Sequence, residues 1–438
     1  MKKLSFFWNE LKASFWFIPV LIILFAVFSA IGLVYLDSKV RIEHNGVLHF
    51  FFVQNLDSAR SILTTISGAM IGVAGTVFSV TLVALTLASS QFGPRLIKNF
   101  MYIRLNQVVL GAYISTYLYC LLVLSSIKDQ QEYTFIPSIA ILVAVLATVA
   151  NIILLIVFIH QIAVSIQADK VVADISDFIG KQVKTLFPEK MGEELKDFQP
   201  EEVEKILVNY PKTFPITSPK SGYLQYVDSD NLMSCMDQQD LLMKLNHRPG
   251  SYLIQGIEIG KVYSKVEIDE QVIQKIQDQF VIGTTKTSQQ DLEHSIHQMV
   301  EIASRALSPG VNDPFTAISC IDNLSATLSY LAQIKFPSKY RIDPNQNLRI
   351  IADNLDFEGV LDAAFNQIRQ FSAGSPAVII RLMEALITIH FLAKTSSQKK
   401  AILKHAEMVL RMGKESIPEK NDLKDLELRA EKILNSEK

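Results

Sequence analysis

Four long apolar stretches lie within the first 160 residues, and none has an Asp, Glu, Lys or Arg at its centre. A helix that crosses a membrane needs about 20 consecutive apolar residues. The pattern therefore predicts four spans: residues 15–36, 66–90, 105–127 and 135–160. The first stretch is too long for the apolar part of a cleaved signal peptide. We expect it to be retained as an anchor.

The distribution of cations predicts how these spans are oriented. Lys and Arg concentrate on the cytoplasmic side of membrane proteins. Here they precede the first span, fill the short loop between the second and third, and follow the fourth. The loops on the opposite side mix their cations with Asp and Glu. Both termini are therefore predicted to be cytoplasmic, with residues 94–104 forming an amphipathic segment at the inner interface.

The second span carries small and hydroxyl side chains at steps of mostly three, four or seven, which places them on one side of a helix. They are Thr65, Gly68, Gly72, Gly75, Thr76, Ser79, Thr86 and Ser90. Two interpretations remain open. Small residues let neighbouring helices approach closely, which is the commoner use of such a pattern. Hydroxyl groups can also line a water-filled pore or cavity in an oligomer.

The centres of the spans hold little other polar chemistry. Asn151 in the fourth span is the most polar side chain at mid-membrane depth, and a hydrogen bond between helices is favoured over an ion site. Proton-coupled pumps and many secondary transporters place ionisable groups at that depth. Their absence from the four stretches argues against an ion-coupled carrier.

The remainder of the chain is ordinary in charge and is predicted to be mainly α. We expect a four-helix transmembrane domain (residues 1–165), a helical linker with a Pro-rich spacer (166–218), a small β module (219–263) and a cytoplasmic helical domain forming a bundle (264–438). The β module is predicted from Gly and Pro residues that separate short β-type runs.

The sequence SPGVNDP is the most specific local feature of the helical domain. The pair Pro309-Gly310 suits the centre of a type II turn after Ser308 and before Asn312. Asp313 can then cap a helix whose first residue is Pro314. Arg305 lies just before the turn, where it could bond the carbonyl groups of a helix end. A structural corner is favoured over a ligand-binding loop.

Composition and motifs exclude several functions. A net charge of −2 makes nucleic acid an unexpected partner, and the three cysteines have no metal-binding spacing. His294, His297 and Glu301 share a helical face but lack a further ligand nearby, so we expect no metal and no cofactor. No recognised catalytic motif is present. We therefore expect that the protein is not an enzyme.

Four runs together resemble a known family. They are VFSVTLVALTLASSQFGPR (77–95), SGYLQYVD (221–228), RPGSYLIQG (248–256) and RALSPGVNDP (305–314). They are similar to the predicted bacterial membrane proteins of domain of unknown function 2254, over about residues 10 to 410. The resemblance implies a bacterial inner-membrane protein with a cytoplasmic C-terminal half. It implies no established activity.

These observations lead to two functional hypotheses. The first is an oligomeric channel-like or passive transport protein, with copies of the second span around an axis and the cytoplasmic domain gating or assembling it. Its expected partners are the lipid bilayer and further copies of the chain. The alternative is a membrane-anchored scaffold or signalling protein whose cytoplasmic domain binds a protein partner.

Overall fold

The computed structural model describes residues 14–39, 53, 55–93, 104–130, 133–186, 198–336 and 338–435. The fold is mainly α, as predicted. The chain forms two compact units, with the division between Lys170 and Val171. The predicted amphipathic segment, residues 94–104, lies outside the described residues, except Arg104, which begins a helix.

The N-terminal unit contains four long helices. They are α1 (Phe17–Lys39), α2 (Leu56–Phe92), α3 (Arg104–Ser126) and α4 (Ser138–Ser165), with a short hairpin of β1 (Lys128–Gln130) and β2 (Tyr133–Phe135) before α4. Each helix is long and apolar enough to cross a membrane. Helix α2 is longer than the predicted span: at 1.5 Å per residue it extends about 55 Å. Its start is fixed by Asn55, whose side chain accepts a hydrogen bond from the Asp57 backbone.

Helix α3 lies at the centre of this unit, packed against α1, α2 and α4. Two tyrosines fasten it to α4 through backbone carbonyls. The Tyr113 hydroxyl donates to the carbonyl of Asn151 at 2.7 Å, and the Tyr119 hydroxyl donates to the carbonyl of Ala140 at 2.9 Å. Such bonds satisfy the phenol hydroxyls where water is scarce.

The end of α1 and the start of α4 are joined by a carboxylate. Pro137 precedes α4 and offers no side-chain cap. Asp37 of α1 supplies the missing acceptors, because its two oxygens accept from the backbone N–H groups of Ile139 (3.1 Å) and Ala140 (3.0 Å). This interhelical cap satisfies donors that a helix start leaves free.

The contact between α1 and α3 depends on Gly111. A Cβ at this position would lie 2.9 Å from the Pro19 Cα and 3.0 Å from the Ile22 Cδ1. We expect Gly111→Ala to lower the free energy of unfolding by about 1–3 kcal/mol, because the backbones must separate. Thermal unfolding in detergent measures this. Gly32→Ala in α1 is the matched control, since its Cβ would meet nothing within 4 Å. Equal losses for both variants would contradict the packing described here.

The C-terminal unit begins with helices and two small sheets. Its first elements are α5 (Ala168–Leu186), α6 (Pro200–Val208), β3 (Lys212–Thr217), β4 (Gly222–Val227), α7 (Ser229–Gln238), β5 (Leu242–Leu245), β6 (Tyr252–Leu253), β7 (Glu258–Ser264), α8 (Glu270–Gln277) and β8 (Phe280–Gly283). A later hairpin, β9 (Tyr340–Ile342) and β10 (Leu348–Ile351), joins the larger sheet. The strand orders are β3-β7-β5-β10-β9 and β6-β4-β8.

The strands extend beyond the predicted β module of residues 219–263. Strand β3 precedes that range, and β8, β9 and β10 follow it. Strand β10 pairs in parallel with β5 across about a hundred residues of sequence. Short strands need several partners to be stable. These partners come from distant segments, which local patterning along the chain does not reveal.

The rest of the unit is a helical bundle. Its helices are α9 (Leu292–Ala306), α10 (Pro314–Leu331), α11 (Phe357–Phe371), α12 (Pro376–Leu392), α13 (Ser396–Ser416) and α14 (Lys420–Leu434). Several helices begin at a capping side chain, such as Asp291 for α9 and Thr395 for α13. The apolar faces of the helices pack against one another, and side chains such as Leu324, Leu361 and Leu386 are buried there.

Candidate functional site

Helix α2 has a distinct inward face. Its buried residues are Ala59, Leu63, Ser67, Met70, Ala74, Val77, Thr81, Ala88 and Phe92. They recur at steps of three, four or, once, seven residues and meet α3 and α4. Helix α2 therefore packs within the chain through this face, which is separate from the predicted stripe of small and hydroxyl residues.

The stripe lies on the opposite side of the helix. All eight of its residues are exposed: Thr65, Gly68, Gly72, Gly75, Thr76, Ser79, Thr86 and Ser90. At about 100° per residue, most of them point roughly 140–180° away from the buried face. A Cβ built on Gly68, Gly72 or Gly75 meets nothing within 4 Å. The stripe thus takes no part in packing among the described helices of one chain.

Apolar side chains flank the stripe on both sides. Ile71 and Leu82 are exposed on one flank, and Val80 and Leu87 on the other. From Thr65 to Ser79 the stripe is consequently a shallow groove between two apolar ridges, and Val83, which is 60% exposed, interrupts it before Thr86. Small-xxx-small grooves of this kind allow a second helix to approach closely.

The hydroxyl groups of the stripe bond to their own helix. Thr76 Oγ1 donates to the carbonyl of Gly72 at 3.2 Å, and Ser79 Oγ donates to that of Gly75 at 2.9 Å. The hydroxyls of Thr86 and Ser90 donate in the same way to carbonyls one turn earlier. Each oxygen keeps acceptor capacity on the outward face. Such a face tolerates either a neighbouring helix or water.

Asn151 lies in the interior, where it joins three helices. Its Nδ2 donates to Thr116 Oγ1 of α3 at 2.9 Å and lies 3.5 Å from the sulfur of Met70 in α2. The side chain is 3% exposed. Asn151 therefore forms a hydrogen bond between helices. It lies in the interior and is not part of the outward-facing stripe. The patterning did not single out Gly111 or the two tyrosines, whose only signal was their place in an apolar segment.

The corner between α9 and α10 differs in one respect from prediction. The Ser308 carbonyl accepts from the N–H groups of Val311 (3.0 Å) and Asn312 (2.9 Å). A type II turn would need a positive φ at Gly310, but the positive φ, 50°, is at Asn312. The predicted type II turn is therefore wrong. Asn tolerates the left-handed conformation better than most residues, so the positive φ can lie two residues after Gly310.

The other corner residues fix the helix ends. Asp313 caps α10 by accepting from the Thr316 backbone N–H at 3.1 Å, and Pro314 is the first residue of that helix. Arg305 Nε lies 3.6 Å from Glu301 Oε1, one turn earlier in α9. Pro309 and Gly310 are exposed at the tip of the turn.

The corner also exposes apolar surface. The side chains of Val311 and Phe315 are 55% and 79% exposed. Within the described part of the chain, no group of three or more His, Cys, Asp or Glu residues is arranged to hold a metal ion. The corner thus offers exposed apolar contact area.

An ion network with a buried centre, Arg349 and Asp343, lies beside the larger sheet at the end of the hairpin formed by β9 and β10. Arg349 donates from Nε to Asp343 at 2.8 Å and from Nη1 to Asp240 at 2.6 Å. Hydrogen bonds from Lys265 and Arg349 lower the pKa of Asp240 to about 2. Burial alone would raise the pKa of Asp343, but hydrogen bonds from Asn347 and Arg349 bring it below its usual value. This network joins α7, β9 and β10.

Comparison with known proteins places this architecture among membrane proteins. A family model described as "Predicted membrane protein (DUF2254)" matches residues 12–388. Uncharacterized proteins of Mycobacterium bovis and Mycobacterium tuberculosis are 28% identical over 424 residues, which covers 94% of this chain and 79% of theirs. No solved structure matches the chain. Since the family model spans most of the sequence, the chain belongs to the DUF2254 family of predicted membrane proteins.

Proposed function

We propose that the protein is a homo-oligomeric, channel-like protein for passive transport, with the α2 stripes of several copies facing a common axis. The outward position of the stripe is the observation that carries this proposal. A helix that met only lipid on this face would leave its glycines and hydroxyls without close packing partners. A second copy would fill the groove between the apolar ridges.

The chemistry of the stripe favours passive flow over coupled transport. Thr76, Ser79, Thr86 and Ser90 would offer oxygen atoms to water along the axis. None of the residues between 61 and 92 is an Asp, Glu, Lys or Arg. Coupled carriers generally use such ionisable groups within the membrane.

The C-terminal unit is proposed to be cytoplasmic and to gate or assemble the oligomer. The cation distribution supports this orientation, with both termini inside. Two residues separate the end of α4 at Ser165 from the start of α5 at Ala168. A movement of the C-terminal unit would therefore be transmitted to α4 through a very short connection. The bacterial relatives and the membrane-protein family are consistent with the proposed location in a bacterial inner membrane.

Flux measurements on the purified protein in liposomes test the proposal. Thr76→Val should lower ion flux because it removes a hydroxyl at nearly constant volume. Ser79→Leu should lower it further because it also obstructs the axis. Leu82→Ile, on the apolar flank, is the matched control and should leave the flux unchanged. Absence of flux from liposomes, together with a monomeric particle, would contradict the proposal.

The exposed apolar surface of the α9–α10 corner supports a second candidate function. In this alternative the protein is a membrane-anchored scaffold that binds a protein partner through Val311 and Phe315. Phe315→Asp should then abolish capture of the partner. In this alternative the α2 stripe packs against protein or lipid and excludes water. Phe371→Asp, at another exposed aromatic residue, is the control. Normal flux in the Phe315→Asp variant would favour the channel.

A further inference from the structure

The smaller sheet of the C-terminal unit carries a projecting apolar surface. Two loops form its tip: residues 218–221 before β4, and residues 254–257 between β6 and β7. Ile254 and Ile257 are 60% and 40% exposed there, and Tyr252 beside them is 57% exposed. Each would be buried in an ordinary core, so their shared exposure in one short segment calls for a partner.

The tip is held in a defined shape. Ser218 donates to the carbonyl of Ile257 at 2.8 Å and accepts from the backbone N–H of Gly256 at 2.9 Å. The N–H of Ile257 bonds to the carbonyl of Ile254 at 3.0 Å, which closes a turn. The two isoleucines are therefore presented together by a fixed backbone. Their exposure does not come from an unstructured loop.

Aromatic and cationic groups border the isoleucines. The rings of Tyr223 and Tyr252 stack edge to face, with centroids 5.0 Å apart. The Lys286 ammonium lies 5.7 Å from the centre of the Tyr223 ring. Lys220 is exposed within the tip itself. Aliphatic, tyrosine and lysine side chains side by side are typical of surfaces at the membrane–water interface.

The cations of the smaller sheet favour contact with an anionic partner surface. Its three strands and their loops, residues 218–227, 246–257 and 279–290, contain Lys220, Arg248 and Lys286 and no Asp or Glu. Asp228, Glu258, Asp278 and Asp291 directly flank these segments, and of these Asp228 and Asp291 are buried. Arg248 is paired with Glu293 at 2.7 Å. Lys220 and Lys286 are then the cations left to this surface, in a chain whose net charge is −2.

We infer that this tip rests on the surface of an anionic lipid bilayer, with Ile254, Ile257 and Tyr252 entering the headgroup region and Lys220 and Lys286 contacting lipid phosphates. The C-terminal unit is already anchored at a membrane, because the same chain carries four helices long and apolar enough to cross one. An anchored domain encounters the bilayer at a high effective concentration, so a small apolar and basic surface is sufficient for contact. A second copy of the chain is anchored in the same membrane and shares this advantage, so the cross-linking measurement below distinguishes it from lipid.

The experiment uses the full chain in nanodiscs, with an environment-sensitive fluorophore on Ile254→Cys in a Cys235→Ser background. Cys120 and Cys320 are buried and should not react. In discs that contain phosphatidylglycerol, we expect a blue shift of the emission relative to a Val266→Cys control, which is exposed elsewhere in the unit. Lys220→Glu with Lys286→Glu should remove most of that shift.

Two outcomes would overturn the inference. One is a lack of charge-dependent burial of residue 254. It would be seen as an emission maximum equal to that at residue 266, or as a blue shift that the double charge reversal does not reduce. The other is efficient cross-linking of residue 254 between copies at the same protein density, which would make a second copy the occupant. The test does not depend on flux, so it is independent of the channel proposal.

Discussion

Replacing Asp343 with Ala should lower the free energy of unfolding of the C-terminal unit by about 3 kcal/mol. Asp343 is fully buried, and Arg349 is 6% exposed in the same network. Removing one member of a buried ion pair costs about 3–5 kcal/mol, since the remaining charge is left without compensation. The lower end of this range applies because Asp240 still accepts from Arg349. Urea unfolding of the full chain in detergent measures the loss.

The matched control is Lys265→Ala in the same network. Lys265 bonds to Asp240 at 2.6 Å, but its side chain is 53% exposed. Solvent screens such pairs, so this variant should unfold almost like the parent. Similar losses for the Asp343 and Lys265 variants would show that burial of the Arg349 pair does not govern the stability of this region.

The same network predicts sensitivity to acid. Asp343 and Asp240 both have a pKa lowered by folding. Their stabilising contribution is therefore complete above about pH 4, the usual pKa of an unfolded Asp. It is lost as the pH falls toward the folded values, about 2 for Asp240. The Asp343→Ala variant should lose less stability between pH 5 and pH 3 than the parent, as unfolding at each pH will show.

Replacing Gly72 with Ile should separate the oligomer into smaller particles without unfolding the chain. The site is open within one chain, so the variant should keep its helicity. A second helix that packs in the groove would collide with the new side chain, at a cost of about 1–3 kcal/mol. The midpoint of that range weakens association more than tenfold. Mass photometry in detergent, with circular dichroism for the fold, measures both effects.

Two controls separate association from folding. Leu82→Ile, on the apolar flank of α2, should leave the particle mass unchanged. Gly111→Ile should lower the thermal stability, because Gly111 lies against α1 within one chain. If Gly72→Ile unfolds the protein, or leaves its mass unchanged, the stripe is not a contact between copies.

Much of the N-terminal unit could be predicted from the sequence because a bilayer imposes simple rules. Apolar length alone located all four long helices. The spacing of small residues correctly indicated that they share one side of α2. Spacing cannot say which side faces the protein, however, since inward residues such as Ala59 and Ala74 are also small. That choice depends on how α3 and α4 pack.

Long-range contacts explain what the sequence did not reveal. Gly111 resembles any other glycine in an apolar helix until Pro19 and Ile22 are brought against it. The parallel pairing of β10 with β5 joins segments separated by three helices, α8, α9 and α10. The preference of glycine for a positive φ predicts a type II turn at Pro309-Gly310, yet Asn312 takes that conformation. Local preferences allow a positive φ at either residue, so they cannot decide between the two.

The central claim is that α2 faces its own copies, and the structure of the intact particle in lipid nanodiscs tests it most directly. We predict a closed symmetric oligomer in which Gly68, Gly72, Thr76 and Ser79 of each copy face the neighbouring copy or the axis. A monomeric particle, or an oligomer in which these residues face lipid, would contradict the account.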